Sequence, residues 1–427
     1  MSVNNEMAQF IKDRILTNSD EDSLLKKVAR RMPENEPLKS RIPAGNDHTV
    51  EGLRKRQEFL KTKGLGLECL ASEKGKPDPA ELQGNIENLV GFAQIPVGII
   101  GPLRINGIEA HDDFYIPMAT TEGALLASYN RGAYVISQSG GAAAMCLTEA
   151  VPRAPCFVFE CLADSCVFLR FVMDEYNGFP AIIAKKSRHC KLLDMKTSLL
   201  GKNVFLGFEY FTGDAAGQNM VTIVTDEICR WLVEKSPVKP ARWYVEGNLS
   251  GDKKATMMSF LTARGKKVVA EAVVKRRILE RFVHVTPEEF LQYGHVAFLG
   301  GALSGSIGVQ GHFANALAAL FIACGQDVAC VSEASTGLND MDITKEGDLY
   351  MSVTLSNMIV GTVGGGTKLP TARECLSILG CLGDNSARKF AEICAATVLA
   401  GEISIIGALA AGEFAAAHAK YGRRAGK

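Results

Sequence analysis

The chain carries no excess charge of either sign, because its 47 Lys and Arg residues are balanced by 47 Asp and Glu residues over 427 positions. It therefore lacks the basic stripe of a nucleic-acid-binding protein and the acidic tail typical of disorder. Aromatic residues make up only 7% of the sequence, whereas glycine occurs 42 times and hydrophobic residues reach 47%. This composition favours a tightly packed α/β or α+β protein, and the length predicts two or three domains.

The twelve cysteines lack the paired CxxC spacing of a zinc site, and no apolar signal segment opens the sequence. We therefore expect reduced thiols in a cytoplasmic protein without a metal centre. Residues 295–326 contain no charged side chain. Their glycines and polar residues are nevertheless poor for a lipid-facing helix, so this segment predicts a buried core helix after a glycine-rich turn, and no contact with a membrane.

Hydrophobic patterning divides the chain into regions. Residues 1 to about 85 favour short amphipathic helices, whereas 95–105 favour an edge strand, and a helix should follow Thr120 or Thr121. From about 150 to 243 the pattern predicts a small α+β insertion. Within and after it the pattern predicts strands at 156–161, 181–186, 203–211 and 267–274, helices at 220–235 and 287–294, and alanine-rich helices near the C-terminus.

The segment Pro117-Met-Ala-Thr-Thr-Glu122-Gly sets a single carboxylate among small and apolar neighbours. A carboxylate that loses water tends to hold a proton near neutral pH, which makes Glu122 a candidate general acid. The same residues also fit an ordinary helix start, in which Thr120 or Thr121 is the cap and Glu122 supports the first turn.

Two further segments carry charges in unusual surroundings. Asp327 lies in the apolar run Ile322-Ala-Cys-Gly-Gln-Asp-Val-Ala-Cys, and a buried carboxylate needs a cationic partner. Lys253, in the glycine-rich segment Gly247-Asn-Leu-Ser-Gly-Asp-Lys-Lys, is a candidate for that partner, although such a segment is usually a solvated turn. With Glu122 the pair would form a carboxylate–lysine–carboxylate network that stabilises an oxyanion and gives it a proton.

The GxGxxG fingerprint of a dinucleotide-binding strand–helix turn is missing from the sequence. Two other glycine segments are candidates for a phosphate cradle, namely Gly213-Asp-Ala-Ala-Gly-Gln-Asn-Met and Gly361-Thr-Val-Gly-Gly-Gly-Thr. Each of them fits an ordinary tight turn equally well.

Taken together, these motifs resemble those of the 3-hydroxy-3-methylglutaryl-coenzyme A (HMG-CoA) reductase family, in the catalytic part of its eukaryotic-type (class I) members. The resemblance runs from about Glu87 to the C-terminus. It rests on the segments already quoted together with Glu87-Asn-Leu-Val-Gly and Ile95-Pro-Val-Gly, all in the family's order and spacing.

The resemblance implies a fold and an activity. The expected fold is α+β to α/β, with a large domain around a long central helix, an inserted ferredoxin-like cofactor domain and a helical N-terminal domain. The expected bounds are 1–85 for the N-terminal domain, 86–146 with 244–427 for the large domain and 147–243 for the insertion. The family reaction uses two NADPH to reduce an acyl-CoA thioester to a primary alcohol. The resemblance also implies a homodimer with interface active sites, with a tetramer as an open alternative.

The resemblance also assigns roles to residues. It makes Glu122, Lys253, Asp327 and His418 catalytic, with His418 protonating the departing thiolate. The implied cofactor residues are Ser187, Arg188, Asp214, Ala216, Gly217, Gln218, Asn219, Gly364, Gly365, Gly366 and Arg423. The implied residues for CoA and the acyl group are Glu87, Ser128, Asn130, Arg131, Met145, Glu246, Asp252, Lys254, Val296, His312 and Asn315.

The sequence departs from the family pattern where the terminal carboxylate of the acyl group is held. An arginine, a serine and a lysine of the family are matched here by Met145, Glu246 and Val296, and an asparagine by Val331. Two cations would be lost and an anion gained, which would repel a carboxylate. Three readings follow: an HMG-CoA reductase, a sister reductase for an acyl-CoA without that carboxylate, or a non-catalytic homologue.

Overall fold

A computed structural model describes residues 21–45, 47–72 and 75–415, which form ten strands and twelve α-helices. The strands are β1 Val97–Gly107, β2 His111–Ala119, β3 Ala142–Arg153, β4 Cys156–Val158, β5 Lys191–Leu200, β6 Asn203–Phe211, β7 Arg242–Tyr244, β8 Gly265–Val274, β9 Gly337–Ile343 and β10 Leu349–Met358. The helices are α1 Glu21–Val28, α2 Val50–Thr62, α3 Leu125–Gln138, α4 Leu162–Glu175, α5 Phe179–Ala184, α6 Gln218–Lys235, α7 Arg276–Phe282, α8 Pro287–Ser304, α9 Phe313–Ala323, α10 Val331–Ala334, α11 Pro370–Ile378 and α12 Ser386–Ala410. The fold is mixed α/β, with largely antiparallel sheet and helices.

The N-terminal helices α1 and α2 belong to a segment that is anchored on β1 and β2 by a buried arginine. The guanidinium of Arg104 is fully buried and lies 2.7 Å from the carboxylate of Asp113. It also donates to the backbone carbonyls of Arg31 and Glu36, at 2.6 and 2.7 Å. Since a buried guanidinium is costly without such partners, these contacts fix the N-terminal segment against the strand pair.

The insertion between β3 and β8 forms a sheet of its own. In chain order its elements are β4, α4, α5, β5, β6, α6 and β7, and the strands lie side by side in the antiparallel order β7-β4-β6-β5. Strand β3 joins this sheet to the larger one, because its last residues pair with β6 while its earlier residues pair with β8. The larger sheet continues through β10 to β9 on one side and through β1 to β2 on the other.

The 25-residue helix α12 lies at the centre of the larger unit, in contact with α3, α8, α9 and strands β1, β3, β8 and β10. By length and composition it could cross a membrane, but 83% of its most apolar stretch of 18 residues is buried inside the fold. Its residues therefore form the core of the protein. The twelve cysteines are all free thiols, and most of them are buried.

One local prediction was wrong, and two elements were not foreseen. Residues 181–186 were expected to form a strand, but they lie in and just after α5, whose first turn contains Pro180 and whose buried residues Phe179, Ile182 and Ile183 share one helical face. The expected edge strand β1 pairs with β2 along its length, and only its last residues, 105–107, also pair with β3. Helix α4 and strand β5 were not foreseen.

The uncharged segment 295–326 also differs from the prediction in its first half. Its second half is the expected glycine-rich turn followed by the buried helix α9. Its first half instead continues α8 to Ser304, and there Phe298 and Leu303 are 60% and 91% exposed. An apolar helix surface of this kind is typical of a contact with another chain.

Glu392 gives the stability of this core a pH dependence. Its carboxylate, inside α12, accepts hydrogen bonds from the N–H groups of Glu109, Ala110 and Cys146, at 2.9, 2.8 and 3.2 Å. Burial raises its pKa to about 7 against the opposing effect of these hydrogen bonds. The folded protein therefore holds a proton that the unfolded chain releases, so the free energy of unfolding falls as pH rises from about 4.5 to about 7.

We expect Glu392→Gln to remove this dependence, which is on the order of 3 kcal/mol at most. Urea unfolding of both proteins across that pH window measures it, and the other buried carboxyls cancel in the comparison. The free energy of unfolding of the wild type, relative to that of Glu392→Gln, should fall as pH rises. A difference that stays constant with pH would show that Glu392 does not titrate there.

Candidate active site

Glu122 lies in the loop before α3 and not in its first turn. Its N–H donates to the side chain of Thr120 at 3.0 Å, and the helix begins only at Leu125, after Ala124 in the left-handed conformation. The helix-start interpretation of this motif is therefore wrong. The Glu122 carboxylate is exposed in the single chain and accepts a hydrogen bond from the amide of Asn315 at 2.8 Å. Glu122 also lines a cleft.

The cleft has a volume of about 630 Å³ and runs between α3 and the N-terminal segment. Its lining includes Glu122, Ser128, Asn130, Arg131 and His312 together with Arg41 and Arg56. Asn130 accepts from the N–H of Gly101 at 3.0 Å, and Arg131 donates to the backbone carbonyl of Ser404 at 2.7 Å. Four of the expected CoA residues therefore line one cavity, and Asn130 and Arg131 also hold its walls in place.

A buried carboxylate on α12 supports the other wall of this cleft. Glu402 accepts from the N–H groups of Gly311, at 2.9 Å, and of His312, and from the Asn339 amide at 2.7 Å. Burial raises the pKa of Glu402, while these donors lower it. The imidazole of His312 stacks on Tyr129 with 4.9 Å between ring centroids. Glu402 thus fixes the turn from which α9 presents Asn315 to Glu122.

The pairing expected for Asp327 is present: Lys253 Nζ lies 2.9 Å from Asp327 Oδ2. Burial alone would raise the pKa of Asp327, but the hydrogen bond and charge of Lys253, together with Ala329 N–H and Gln218, lower it overall. The hydrogen bond that Lys253 donates to Asp327 raises the pKa of Lys253. Asp327 is less buried than its apolar sequence neighbours implied, since 40% of its side chain is exposed. The pair is therefore charged and open to a ligand.

The loop that carries Lys253 is held by alternating charges. Lys253 itself has a left-handed backbone with φ of 56°, which is uncommon outside glycine. Its neighbour Asp252 pairs with Arg264 and, at 3.2 Å, with Arg153. Arg153 also lies 3.3 Å from the carboxylate of Glu246. This charge network gives the loop a fixed shape before any ligand binds.

The glycine segments singled out in the sequence meet beside this loop. A Cβ at Gly361 would lie 2.4 Å from the backbone nitrogen of Ala216, and one at Gly325 would lie 2.3 Å from the carbonyl oxygen of Gly366. Gln326 pairs with both backbone groups of Gly361, each at 2.9 Å. Only glycine permits these approaches, so the three segments at 213–219, 325–327 and 361–366 form one backbone platform.

The 18-residue helix α6 begins at this platform. Its N-cap residue, Gly217, has no side chain that could accept hydrogen bonds from the first N–H groups of the helix. Because these N–H groups remain available, the start of α6 is suited to binding an anion. Ser187 lies 3.1 Å from the sulfur of Met220 in the first turn of α6, and its neighbour Arg188 is exposed. The Asp214 carboxylate accepts the N–H groups of Asn385 and Ala387, at 2.8 and 3.0 Å, so it anchors the start of α12.

The remaining residues expected at the site lie outside the cleft and the glycine platform, or outside the described part of the chain. Met145 is paired in the sheet opposite Val269, and Val296 is exposed on α8. Farther along β3 than Met145, Arg153 contacts Asp252 of the Lys253 loop. Lys254 is exposed and donates to the carbonyl of Asp252 at 2.9 Å, and Glu87 lies in an exposed bend. His418 and Arg423 lie outside the described residues.

Glu122 and Lys253 belong to two separate groups within one chain. Glu122 is bonded to Asn315, and Lys253 to Asp327, and no hydrogen bond or ion pair joins the two groups among the described residues. Of the three-membered network expected from the sequence, a single chain therefore joins Lys253 and Asp327 but not Glu122.

A family model for hydroxymethylglutaryl-coenzyme A reductase matches residues 52–423, which include both groups and the glycine platform. The chain belongs to this reductase family.

Relatives of the family lie in several lineages. The HMG-CoA reductase of Pyrococcus abyssi is 45% identical over 81% of this chain and 86% of its own length. That of Aeropyrum pernix is 41% identical over 94% of this chain and 96% of its own length. HMG-CoA reductase 1 of Oryza sativa is 36% identical over 90% of this chain and 73% of its own length.

Solved structures share the fold at lower identity. A class II HMG-CoA reductase of Streptococcus pneumoniae, determined with NADPH in open conformations, is 18% identical, with a TM-score of 0.69. The match covers 86% of this chain and 99% of that chain.

Several site residues of this reductase were not found from the sequence. Arg41 and Arg56 enter the cleft from the N-terminal segment, and Arg153 and Arg264 hold the Lys253 loop. A lone arginine in a polar loop or at a strand end has no local signature. Only the sheet pairing of β3 with β8 brings the last two together.

Removing the Lys253 side chain tests the candidate site. We expect Lys253→Ala to lower the reductase rate roughly a hundredfold or more, as loss of an oxyanion stabiliser does, with little change in thermal unfolding. Lys39→Ala is the matched control, because Lys39 forms a similarly exposed pair with Asp112 at 2.7 Å. Initial rates of NADPH oxidation and melting curves measure both effects. Near wild-type turnover in Lys253→Ala would contradict the assignment.

Proposed function

We propose that this chain is an NADPH-dependent reductase that converts HMG-CoA to mevalonate and free CoA in a four-electron reduction. The observation that carries the proposal is the Lys253–Asp327 ion pair at the edge of a glycine platform. An ammonium held in this way can stabilise an oxyanion, and the platform can hold a dinucleotide next to it. The relatives from Pyrococcus abyssi, Aeropyrum pernix and Oryza sativa all carry the name of this activity.

NADPH fits the residues at the platform. The bare N-terminus of α6, with Gly217, Gln218 and Asn219, suits the pyrophosphate, and Cβ positions at Gly364 and Gly365 would meet no protein atom within 4 Å. Arg188, exposed beside the first turn of α6, suits the 2′-phosphate that distinguishes NADPH from NADH. NADPH, when bound, supplies a hydride in each of the two reductions.

The protein residues supply charge and protons. Lys253 donates to the thioester oxygen as negative charge develops there, and Asp327 keeps Lys253 protonated by lowering the free energy of its charged form. Glu122 gives a proton to the reduced carbonyl oxygen. His418, outside the described residues, has the role of protonating the CoA thiolate.

The CoA portion fits the cleft beside Glu122. Arg41, Arg56 and Arg131 line a cavity of about 630 Å³, which provides positive charge for the phosphates of CoA. Glu122 also lines this cleft, so a CoA bound there would lie close to its carboxylate. Ser128 and Asn130 provide further polar contacts along α3.

The terminal carboxylate of HMG fits Arg153. Its guanidinium is 6% exposed, and its Nε lacks a hydrogen-bond partner among the described residues. The charge of Glu246, which was expected to repel the substrate, is compensated by Arg153 and by the Ala154 N–H at 3.3 Å. Arg153 thus supplies a cation in addition to Lys254, which the sequence already placed among the residues for the acyl group. This favours HMG-CoA over an acyl-CoA without a terminal carboxylate.

A homodimer would complete the site. The segment 90–97 is exposed throughout, with Val90 fully exposed, and α8 presents Phe298, Leu299 and Leu303 to the surface. Covering these apolar surfaces with a second copy would provide the driving force for association. We propose that the Glu122 group of one subunit faces the Lys253 group of the other.

We also propose the domain bounds, the class and the location of the protein. The strand order β7-β4-β6-β5 with two crossing helices supports a ferredoxin-like cofactor domain over 147–243. The central helix α12 supports a large domain over 86–146 and 244–427, preceded by the helical domain 1–85. We assign the protein to class I from the order and spacing of its motifs, and we place it in the cytoplasm because its cysteines are free thiols.

The role of Arg153 can be tested with a matched substrate pair. We expect the wild type to oxidise two NADPH per HMG-CoA, and to prefer HMG-CoA over its terminal methyl ester. Arg153→Gln should reduce that preference by the roughly 1.5–3 kcal/mol of a charged hydrogen bond, about ten- to a hundredfold in kcat/KM. The ratio of the two substrates separates this effect from general damage to the loop. A wild type that uses both substrates equally would show that the carboxylate is not recognised there.

Subunit mixing tests the shared active site. Glu122→Gln and Lys253→Ala should each be inactive alone. After unfolding and refolding together they should regain about a quarter of wild-type activity, because about half of the dimers would be mixed and each would have one intact site. Mixing either variant with itself is the control. No recovery from verified mixed dimers would place Glu122 and Lys253 of one chain in the same site.

A further inference from the structure

Arg264 lies at the entrance to β8 and connects the two segments that supply the catalytic ion pair. Its side chain is 5% exposed, and its guanidinium forms ion pairs with both Asp252 and Glu333. Asp252 directly precedes Lys253 in the loop. Glu333, itself fully buried, lies in α10, the short helix that follows Asp327. One guanidinium therefore contacts both segments that carry the Lys253–Asp327 pair, through Asp252 on one and Glu333 on the other.

A third contact extends this arrangement to the cofactor helix. Arg264 Nη2 lies 3.5 Å from the side-chain oxygen of Gln218, the first residue of α6. The amide nitrogen of Gln218 lies 3.3 Å from Asp327 Oδ2. Arg264 also donates to the backbone carbonyl of Pro152 at 3.3 Å, next to Arg153. Its contacts reach the lysine loop, the Asp327 segment, the start of α6 and the end of β3.

We propose that Arg264 is a positioning residue, which sets the separation of Lys253 and Asp327 and holds that pair in register with the first turn of α6. The inference rests on the proposed reductase function for its kinetic consequences. In this role Arg264 acts through Asp252, Glu333 and Gln218. A planar guanidinium is needed, because its Nε and Nη2 each hold one carboxylate, whereas a lysine ammonium is a single point charge without this fixed pair of donors.

Kinetics of Arg264→Lys and Arg264→Ala test the proposal. Displacement of a catalytic group by about 1 Å can cost roughly a hundredfold, so kcat should fall ten- to a hundredfold while KM for HMG-CoA changes much less. Arg264 lines a cavity of about 170 Å³, which gives added guanidinium ion a route to the vacated space in Arg264→Ala. We expect guanidinium to restore part of kcat at concentrations that leave the wild type unaffected.

Arg104→Lys is the control for general damage. Arg104 is equally buried and pairs with Asp113, but it anchors the N-terminal segment. It should lose thermal stability and retain kcat at saturating substrate. If Arg264→Ala does not fold, Arg264→Lys and Glu333→Gln provide the same comparison. Folded Arg264→Lys with wild-type kcat, or equal kcat losses in the Arg104 control, would overturn the proposal.

A second measurement is independent of turnover. The rate at which Lys253 reacts with an acylating reagent, followed by mass spectrometry across pH, reports how firmly Asp327 holds its ammonium. The Arg264 variants should react faster than the wild type at neutral pH. Unchanged reactivity in folded variants would reject the positioning role. A wild type that does not reduce HMG-CoA would reject the proposed function alone, because this reactivity does not depend on it.

Discussion

Burial of α12 is the constraint on which the arrangement of the larger unit depends. An apolar helix of 25 residues is stable only when other elements cover it, and here helices and strands do so on nearly every side. The helix also carries two buried carboxylates that order its surroundings. Glu392 receives backbone N–H groups from the β1–β2 turn, whereas Glu402 receives those of the turn before α9. The core helix thereby positions loops that reach the active site.

The alternation of charges around Lys253 also reflects the need of each buried charge for an opposite partner. From Glu246 through Arg153, Asp252 and Arg264 to Glu333, negative and positive groups alternate, and each buried charge has an opposite neighbour. Such a chain costs desolvation energy, so it is poor evidence for stability. It does hold the lysine loop in one geometry before substrate binds, and preorganised charge is what stabilises a developing oxyanion.

The sequence was most informative where a residue's role is local. The helix α6, the strands β6 and β8 and the Asp327–Lys253 pairing could all be predicted from periodicity or from the cost of an unpaired carboxylate. Prediction failed where two structures share one local pattern. Residues 181–186 are as β-branched as a strand, but the packing of Ile182 and Ile183 in the insertion's core selects a helix. An exposed apolar surface on α8 cannot be distinguished from a buried one by composition.

By itself the sequence determined the family and the mixed α/β class, and it singled out Glu122, Lys253 and Asp327 as candidates, because the order and spacing of motifs are visible without coordinates. Only the tertiary structure decided which arginine faces the lysine loop. Arg153 and Arg264 are distant in sequence, and the pairing of β3 with β8 places both beside Asp252. The tertiary structure also separated Glu122 from Lys253 within one chain, since distances between segments depend on long-range packing that no local pattern encodes.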